Sequence, residues 1–144
     1  MSEGMDYYSA LPSRLLEYIV DETKDSLYYK KLSGEIKNKT AQKLLMEFSS
    51  DEAQHAANFI QVYRQITGME PPIGPLSPPE IPSYCEAIKQ RIMAESHDVV
   101  KYSQEFLNAP VLELRNLFYI TGAIESKHGL RLTTLLCGVN HRRA

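Results

Sequence analysis

The sequence has little cysteine, no tryptophan and no long apolar run, and each shortage excludes a class of protein. Its 144 residues contain two cysteines, too few for a disulfide-rich secreted scaffold or a four-cysteine metal site. No apolar run approaches the roughly 20 residues of a membrane span, so no membrane contact is expected. The opening MSEGMDYYSALPS has no basic stretch before an apolar one, so we expect no signal peptide and a cytoplasmic location. Cys85 and Cys137 could pair, but buried free thiols are the expectation there.

An excess of positive charge is also missing. The 16 Lys and Arg residues are balanced by 18 Asp and Glu residues, a formal net charge of -2. This balance argues against a nucleic-acid partner. With 43% hydrophobic and 24% charged residues, the composition is that of one ordinary domain, residues 1–144.

Apolar residues recur at steps of three and four in four segments, which predicts an all-α protein without strands. The predicted helices span about 13–37, 40–67, 82–108 and 110–138. The first and third connections are short, so helices one and two form one antiparallel hairpin and helices three and four another.

The connection between helices two and three is long and rich in proline. Six of the eight prolines lie from Pro71 to Pro82. An extended polyproline chain of this length spans roughly 43 Å, about the length of one of the helices. This predicts a four-helix bundle with one long crossover between helices two and three. The alternative is a flexible linker between two helical hairpins, which would then bury their apolar stripes poorly.

An internal repeat relates the two hairpins at an offset of 73 residues. The identical matches are mostly polar residues that lie within the apolar stripes, and surface charges have no reason to repeat in this way. The matched pairs are Glu22 with Glu95, Asp25 with Asp98, Tyr29 with Tyr102, Glu52 with Glu125, and His55 with His128.

The repeat carries two E-x-x-H motifs, and residues three apart share one face of a helix. Counting from the loops places the two motifs and the other two glutamates at similar heights, within about one turn of 5.4 Å. Four buried carboxylates need compensating charge, which two divalent cations supply, with two neutral imidazoles as further ligands. Such donors suit iron, manganese or zinc. The alternative is four glutamates on solvated faces and two chance motifs.

On these residues, the sequence resembles the rubrerythrins, members of the ferritin-like di-iron superfamily, over about residues 15–138. The resemblance implies a single ferritin-like domain that holds two iron ions. It implies that Glu22 and His55 bind one metal, that Glu95 and His128 bind the other, and that Glu52 and Glu125 bridge them. It also matches Tyr29 and Tyr102 to tyrosines that hydrogen-bond near the bridging carboxylates. The alternative for both is an ordinary core tyrosine.

The sequence departs from the rubrerythrin pattern in two places. It contains no C-x-x-C pair, so a rubredoxin module is missing and we expect an external electron donor such as a rubredoxin-like protein. Rubrerythrins also have a glutamate one turn after the third-helix ligand, where this sequence has Asp98. That shorter carboxylate could bind metal, directly or through water, or point along the helix rim.

Three functions are compatible with these residues. The first is a homodimeric di-iron oxidoreductase of rubrerythrin type, acting in oxidative stress, that reduces hydrogen peroxide or dioxygen. The second is ferritin-like iron(II) oxidation with iron handling or storage. The third is a structural protein of a spore or stress assembly with a vestigial metal site. Six intact ligands favour the first two, because buried ligands are costly without metal.

Overall fold

Four long helices make up the part of the chain that the structure describes. The computed structural model describes residues 2–136, with side chains from Asp6 onward. The helices are α1 (Ser2–Gly34), α2 (Lys39–Thr67), α3 (Tyr84–Asn108) and α4 (Leu112–Leu132), followed by a short 3-10 turn, Thr133–Leu135. No strand occurs between residues 2 and 136, so the all-α prediction is confirmed. Among the same residues, no helix is both long and apolar enough to cross a bilayer.

Helix α1 begins at Ser2, well before the predicted start at residue 13, and Pro12 lies inside it. An interior proline costs roughly 3 kcal/mol in an isolated helix. Here the apolar stripe continues on both sides of the proline, since Leu11 and Leu15 are fully buried and Tyr7 is 9% exposed. Burial of this stripe offsets the cost of the proline, a tertiary effect that the predicted start at residue 13 did not include.

The described chain divides into two compact units, one up to Glu80 and one from Ile81. In the first unit, α1 and α2 form the predicted antiparallel hairpin. Asn38 caps α2 by accepting a hydrogen bond from the Ala41 N–H at 2.9 Å. Gly68 ends α2 in the left-handed conformation, with φ of 71°, which glycine adopts without a Cβ penalty.

Two serines hold α1 and α2 close together. The Ser26 hydroxyl donates to the Ser49 carbonyl at 2.8 Å, and the Ser49 hydroxyl donates to the Ser26 carbonyl at 2.8 Å. Their two Oγ atoms are 3.2 Å apart. Because Ser26 follows Glu22 by one turn and Ser49 precedes Glu52 by one turn, this contact fixes the register of the helices beside those glutamates.

The second unit is the hairpin of α3 and α4, joined at Ala109–Val111. Small residues allow a close approach here as well. A Cβ atom on Gly122 would lie 3.6 Å from the Tyr102 Cβ and 3.9 Å from the Val99 carbonyl oxygen, and one on Gly129 would lie 3.7 Å from the Glu95 Cβ. The backbones of the two helices therefore pass close to each other beside Glu95.

The proline-rich segment between α2 and α3 has no regular secondary structure. Within the first unit, the Lys31 ammonium donates to the Pro79 carbonyl at 3.4 Å. Since Lys31 lies in the last turn of α1 and Gly68 lies at the far end of α2, the segment returns along the hairpin. The predicted crossover into α3 stays a prediction.

Candidate metal centre

The first hairpin brings one histidine and two glutamates together. Glu22 comes from α1, and Glu52 and His55 come from α2. The His55 Nδ1 atom lies 3.0 Å from Glu22 Oε1 and 3.1 Å from Glu52 Oε1. Both glutamates are fully buried and His55 is 3% exposed. We call this group the first trio.

The second hairpin repeats the arrangement with Glu95 from α3 and with Glu125 and His128 from α4. The His128 Nδ1 atom lies 3.6 Å from Glu95 Oε2 and 3.5 Å from Glu125 Oε1. All three residues are fully buried. We call them the second trio. The offset of 73 residues therefore relates two sets of side chains with the same chemistry and the same pairing of helices.

The two carboxylates of the first trio change the protonation of its histidine. Burial lowers the pKa of His55, but hydrogen bonds to Glu22 and Glu52 and the charges of both raise it more. The net effect raises the pKa of His55 from 6.5 to about 10. Without metal, His55 is therefore an imidazolium at neutral pH and neutralises part of the buried negative charge.

The donor atoms fit a divalent first-row metal. Within each trio, one ligand atom from every residue lies within 4.8 Å of the others. Two atoms bound to one ion at about 2.1 Å, at right to tetrahedral angles, lie roughly 3.0 to 3.4 Å apart. The histidine-to-carboxylate distances of 3.0 and 3.1 Å in the first trio and 3.5 and 3.6 Å in the second lie in or next to that range. Mixed carboxylate and imidazole donors suit iron, manganese and zinc.

The two predicted tyrosines are fully buried and pack on aromatic rings. Tyr29 meets Phe48 edge to face with ring centroids 5.4 Å apart. Tyr102 instead stacks on Phe118 at 6.2 Å, because the position equivalent to Phe48 is Thr121. Between the two repeats, the aromatic residue that contacts the tyrosine shifts by one turn along the facing helix. Each tyrosine therefore keeps an aromatic neighbour. The predicted role of the tyrosines toward the bridging carboxylates stays a prediction.

The other predicted candidates lie outside the trios. The Asp98 side chain is 14% exposed and its carboxylate pairs with the Lys101 ammonium at 3.2 Å, so its role as a ligand stays a prediction. Asp25 is half-buried, and His97, a histidine outside the two E-x-x-H motifs, is exposed. His141 lies outside the described residues.

The cysteine expectation was wrong at Cys85. This residue is disulfide-bonded and half-buried in the first turn of α3. A buried free thiol was expected there because free thiols are the rule in the reducing cytoplasm, but the residue lies at the helix end and not in the core. Cys137 lies outside the described residues.

A buried arginine beside the second trio escaped the sequence analysis. Arg91 is 7% exposed, and its Nη2 atom lies 3.5 Å from Glu95 Oε2, one turn along α3. The repeat-related position is Tyr18, whose ring packs against Phe59 at 5.7 Å. A signal was available in the sequence, because Arg91 lies three residues after Ile88 and four before Glu95, the spacing of one helix face. A fixed positive charge therefore lies next to one glutamate of the second trio.

A family model described as rubrerythrin matches residues 15–136. The chain belongs to the rubrerythrin family. No curated protein and no solved structure matches it significantly. The matched range includes both trios, so this rubrerythrin-family domain carries buried carboxylate and histidine clusters that are compatible with a di-iron site. It also includes Arg91, and it begins after Pro12, whose helical segment the family pattern does not cover.

Proposed function

We propose that the two trios form one dimetal centre that holds two iron ions, with manganese or zinc as substitutes. In this assignment Glu22 and His55 bind one ion, Glu95 and His128 bind the other, and Glu52 and Glu125 bridge the pair. The observation that carries the proposal is the repetition of one buried Glu, Glu, His set in two hairpins of a rubrerythrin-family chain.

The charge balance supports two ions and not one. Four carboxylates have no exposed surface, and an uncompensated buried charge costs several kcal/mol. His55 and Arg91 supply two positive charges to the metal-free protein. Two divalent cations supply four charges, displace the proton of His55 and leave both imidazoles neutral as ligands.

We propose that this centre belongs to an oxidoreductase that reduces hydrogen peroxide or dioxygen. Two bound iron(II) ions supply the two electrons needed to reduce an O–O bond. The protein's own residues bind and orient the ions, and the buried faces of the helices exclude bulk water from the trios. We further propose that Tyr29 and Tyr102 orient the bridging carboxylates and that Asp98 is an additional, weaker ligand to the ion at Glu95.

These 144 residues contain no C-x-x-C pair and no G-x-G-x-x-G nucleotide-binding motif. We therefore propose that electrons arrive from a separate protein, a rubredoxin-like donor. The following experiment distinguishes this proposal from the two alternatives, iron storage and a structural role.

The test is anaerobic loading with iron(II), followed by absorption and Mössbauer spectroscopy as peroxide or dioxygen is added to separate samples. We expect one equivalent of peroxide to oxidise both ions of a chain, without further iron uptake. Continued uptake of iron(II) with retention of the oxidised product would instead assign the protein to iron storage. If the trios bind no iron, the result would instead support the structural role. Glu47→Ala is the matched control for ligand variants, because Glu47 is exposed on the same helix as Glu52.

A further inference from the structure

One buried position differs in charge between the two repeats. Arg91 is 7% exposed and is the only Lys or Arg with a buried side chain among residues 6–136. The offset of 73 residues relates it to Tyr18, which is also buried and packs on Phe59 with ring centroids 5.7 Å apart. The first hairpin thus fills this position with a neutral ring, and the second hairpin fills it with a guanidinium. The two trios therefore have the same ligand types but different charges beside them.

The charge of Arg91 is permanent and lies close to the second trio. An arginine does not lose its proton in a protein, so a metal ion cannot displace this charge as it displaces the proton of a histidine. The Arg91 Nη2 atom lies 3.5 Å from Glu95 Oε2, farther than the roughly 2.7 to 2.9 Å of a charge-assisted hydrogen bond. Arg91 therefore acts on Glu95 mainly through its charge, and the guanidinium can stay in place when Glu95 binds an ion.

A second difference between the repeats has the same sign. Lys101 occupies the position that Tyr28 occupies in the first hairpin. The Lys101 ammonium lies 3.2 Å from the carboxylate of Asp98, which follows Glu95 by one turn. Opposite charges at this distance largely cancel each other's field. The carboxylate of Asp98 therefore does little to compensate the charge of Arg91.

The metal centre of the proposed function gains a net positive charge from Arg91. Two divalent ions balance the four carboxylates of the trios, both histidines are neutral as ligands, and the guanidinium adds one further charge. An ion bound about 2.1 Å from Glu95 Oε2 lies within roughly 5.6 Å of the Arg91 Nη2 atom. Like charges repel strongly at this distance inside a protein. The repulsion is larger for iron(III) than for iron(II), so Arg91 favours the reduced ion.

We infer that Arg91 raises the reduction potential of the ion in the second trio above that of the ion in the first trio. The inference rests on the proposed di-iron centre. The step that it favours is a transfer of one electron, in which the external donor is oxidised and the iron(III) ion beside Arg91 is reduced to iron(II). No covalent bond forms or breaks. Arg91 acts by its charge beside Glu95 and touches no reacting atom, so it is not a catalytic residue.

This difference in potential suits a centre that receives its electrons from a separate protein. The ion in the second trio is the first to accept an electron from the donor, because its reduction relieves the repulsion by the guanidinium. Iron storage instead requires that iron(III) be held stably, which a buried cation opposes. The position of Arg91 therefore favours turnover with an external donor over storage.

The test is a redox titration of the iron-loaded full chain, in which Mössbauer spectroscopy counts iron(II) and iron(III) at each potential. We expect two one-electron steps with a half-oxidised form between them. Arg91→Met removes the charge and should lower the higher of the two potentials by about 59 mV or more, a tenfold change in the equilibrium constant of a one-electron reduction. Arg91→Lys keeps the charge and should show less than half of this shift. Arg91→Gln is a second neutral variant and should behave as Arg91→Met does.

Lys89→Met is the matched control, because Lys89 is an exposed cation on the same helix, and both potentials should stay unchanged in this variant. A single two-electron step in the unaltered protein would overturn the inference without any variant. Equal shifts in Arg91→Met and Arg91→Lys, or in Arg91→Met and Lys89→Met, would overturn it as well. The iron content of the same samples separates the two claims. Two ions per chain with no shift would overturn only the role of Arg91, whereas an unaltered chain without iron would overturn the proposed centre too.

Discussion

Ser26 and Ser49 each donate a hydroxyl hydrogen bond to the carbonyl oxygen of the other, both at 2.8 Å, where α1 passes α2. The offset of 73 residues relates this pair to Val99 and Gly122. There the helices approach without hydroxyl groups, since a Cβ on Gly122 would lie 3.9 Å from the Val99 carbonyl oxygen. Both hairpins thus keep a close contact one turn from their glutamates, one through hydrogen bonds and one through a missing side chain.

Substitution by alanine should change the free energy of unfolding in opposite directions at the two contacts. Ser49→Ala removes a hydroxyl that is largely buried and should lower the free energy of unfolding by about 1 kcal/mol. Gly122→Ala should raise it by about 0.5 to 1 kcal/mol, because alanine suits a helix interior better than glycine and the added Cβ would make ordinary contacts. Chemical denaturation of the metal-free protein measures both. A destabilised Gly122→Ala would show that the contact has no room for a methyl group.

Much of the fold could be predicted because its signals are local. Helical periodicity predicted four helices, and α2 ends at the predicted residue 67, where the following Gly68 takes the left-handed conformation. The two trios were predictable because buried polar residues repeated within apolar stripes. The start of α1 was predicted too late, at residue 13 instead of Ser2, since burial of Leu11 and Leu15 is a tertiary effect that local propensity does not contain.

Other features depend on contacts between helices that are distant in sequence. Nothing in the spacing of Ser26 and Ser49 indicates that their hydroxyl groups meet. The disulfide at Cys85 depends on where that helix end lies in space. The burial of Arg91 could have been predicted, because its spacing from Ile88 and Glu95 places it on the inward face of α3.

The raised pKa of His55 predicts that metal binding releases a proton. The pKa rises from 6.5 to about 10 in the metal-free fold. The stabilisation from this proton is therefore complete below about pH 6.5 and is lost as the pH rises toward 10. A metal ion must displace the proton, so affinity should increase with pH across this window. Calorimetry at about pH 7.5, in buffers of different ionisation enthalpy, should show about one proton fewer released by His55→Asn than by the unaltered protein. Equal release would contradict the assignment of His55 as a protonated ligand.

Arg91 should matter more without metal than with it. Arg91→Met removes a buried cation 3.5 Å from Glu95 and should destabilise the metal-free protein by about 2 kcal/mol or more. The loss should be smaller in the metal-loaded protein, because a bound cation then neutralises Glu95. Melting curves with and without metal measure this difference. Arg91→Lys keeps the charge, and Tyr18→Phe alters the repeat-related position. For both variants, the difference between the losses of stability without and with metal should be smaller than for Arg91→Met. An equal loss with and without metal would mean that Arg91 acts only through packing.

The supply of electrons should limit turnover. Protein loaded with iron(II) and given excess peroxide should complete one fast turnover and then stop, because these residues contain no C-x-x-C pair and no G-x-G-x-x-G motif to hold a second electron-transfer cofactor. A reduced rubredoxin, its reductase and nicotinamide cofactor together should restart peroxide consumption, as a stopped-flow trace would show. Steady consumption with nicotinamide cofactor alone would contradict the need for a separate donor protein.

The central claim is that both trios bind metal as one centre, and the most direct measurement is the metal content of the loaded chain. Elemental analysis after anaerobic loading with iron(II) and gel filtration should give two ions per chain. Glu52→Ala and Glu125→Ala each remove a proposed bridge and should lose most of the metal, whereas the exposed control Glu47→Ala should keep it. Two ions retained in both bridge variants, or none in the unaltered protein, would contradict the account.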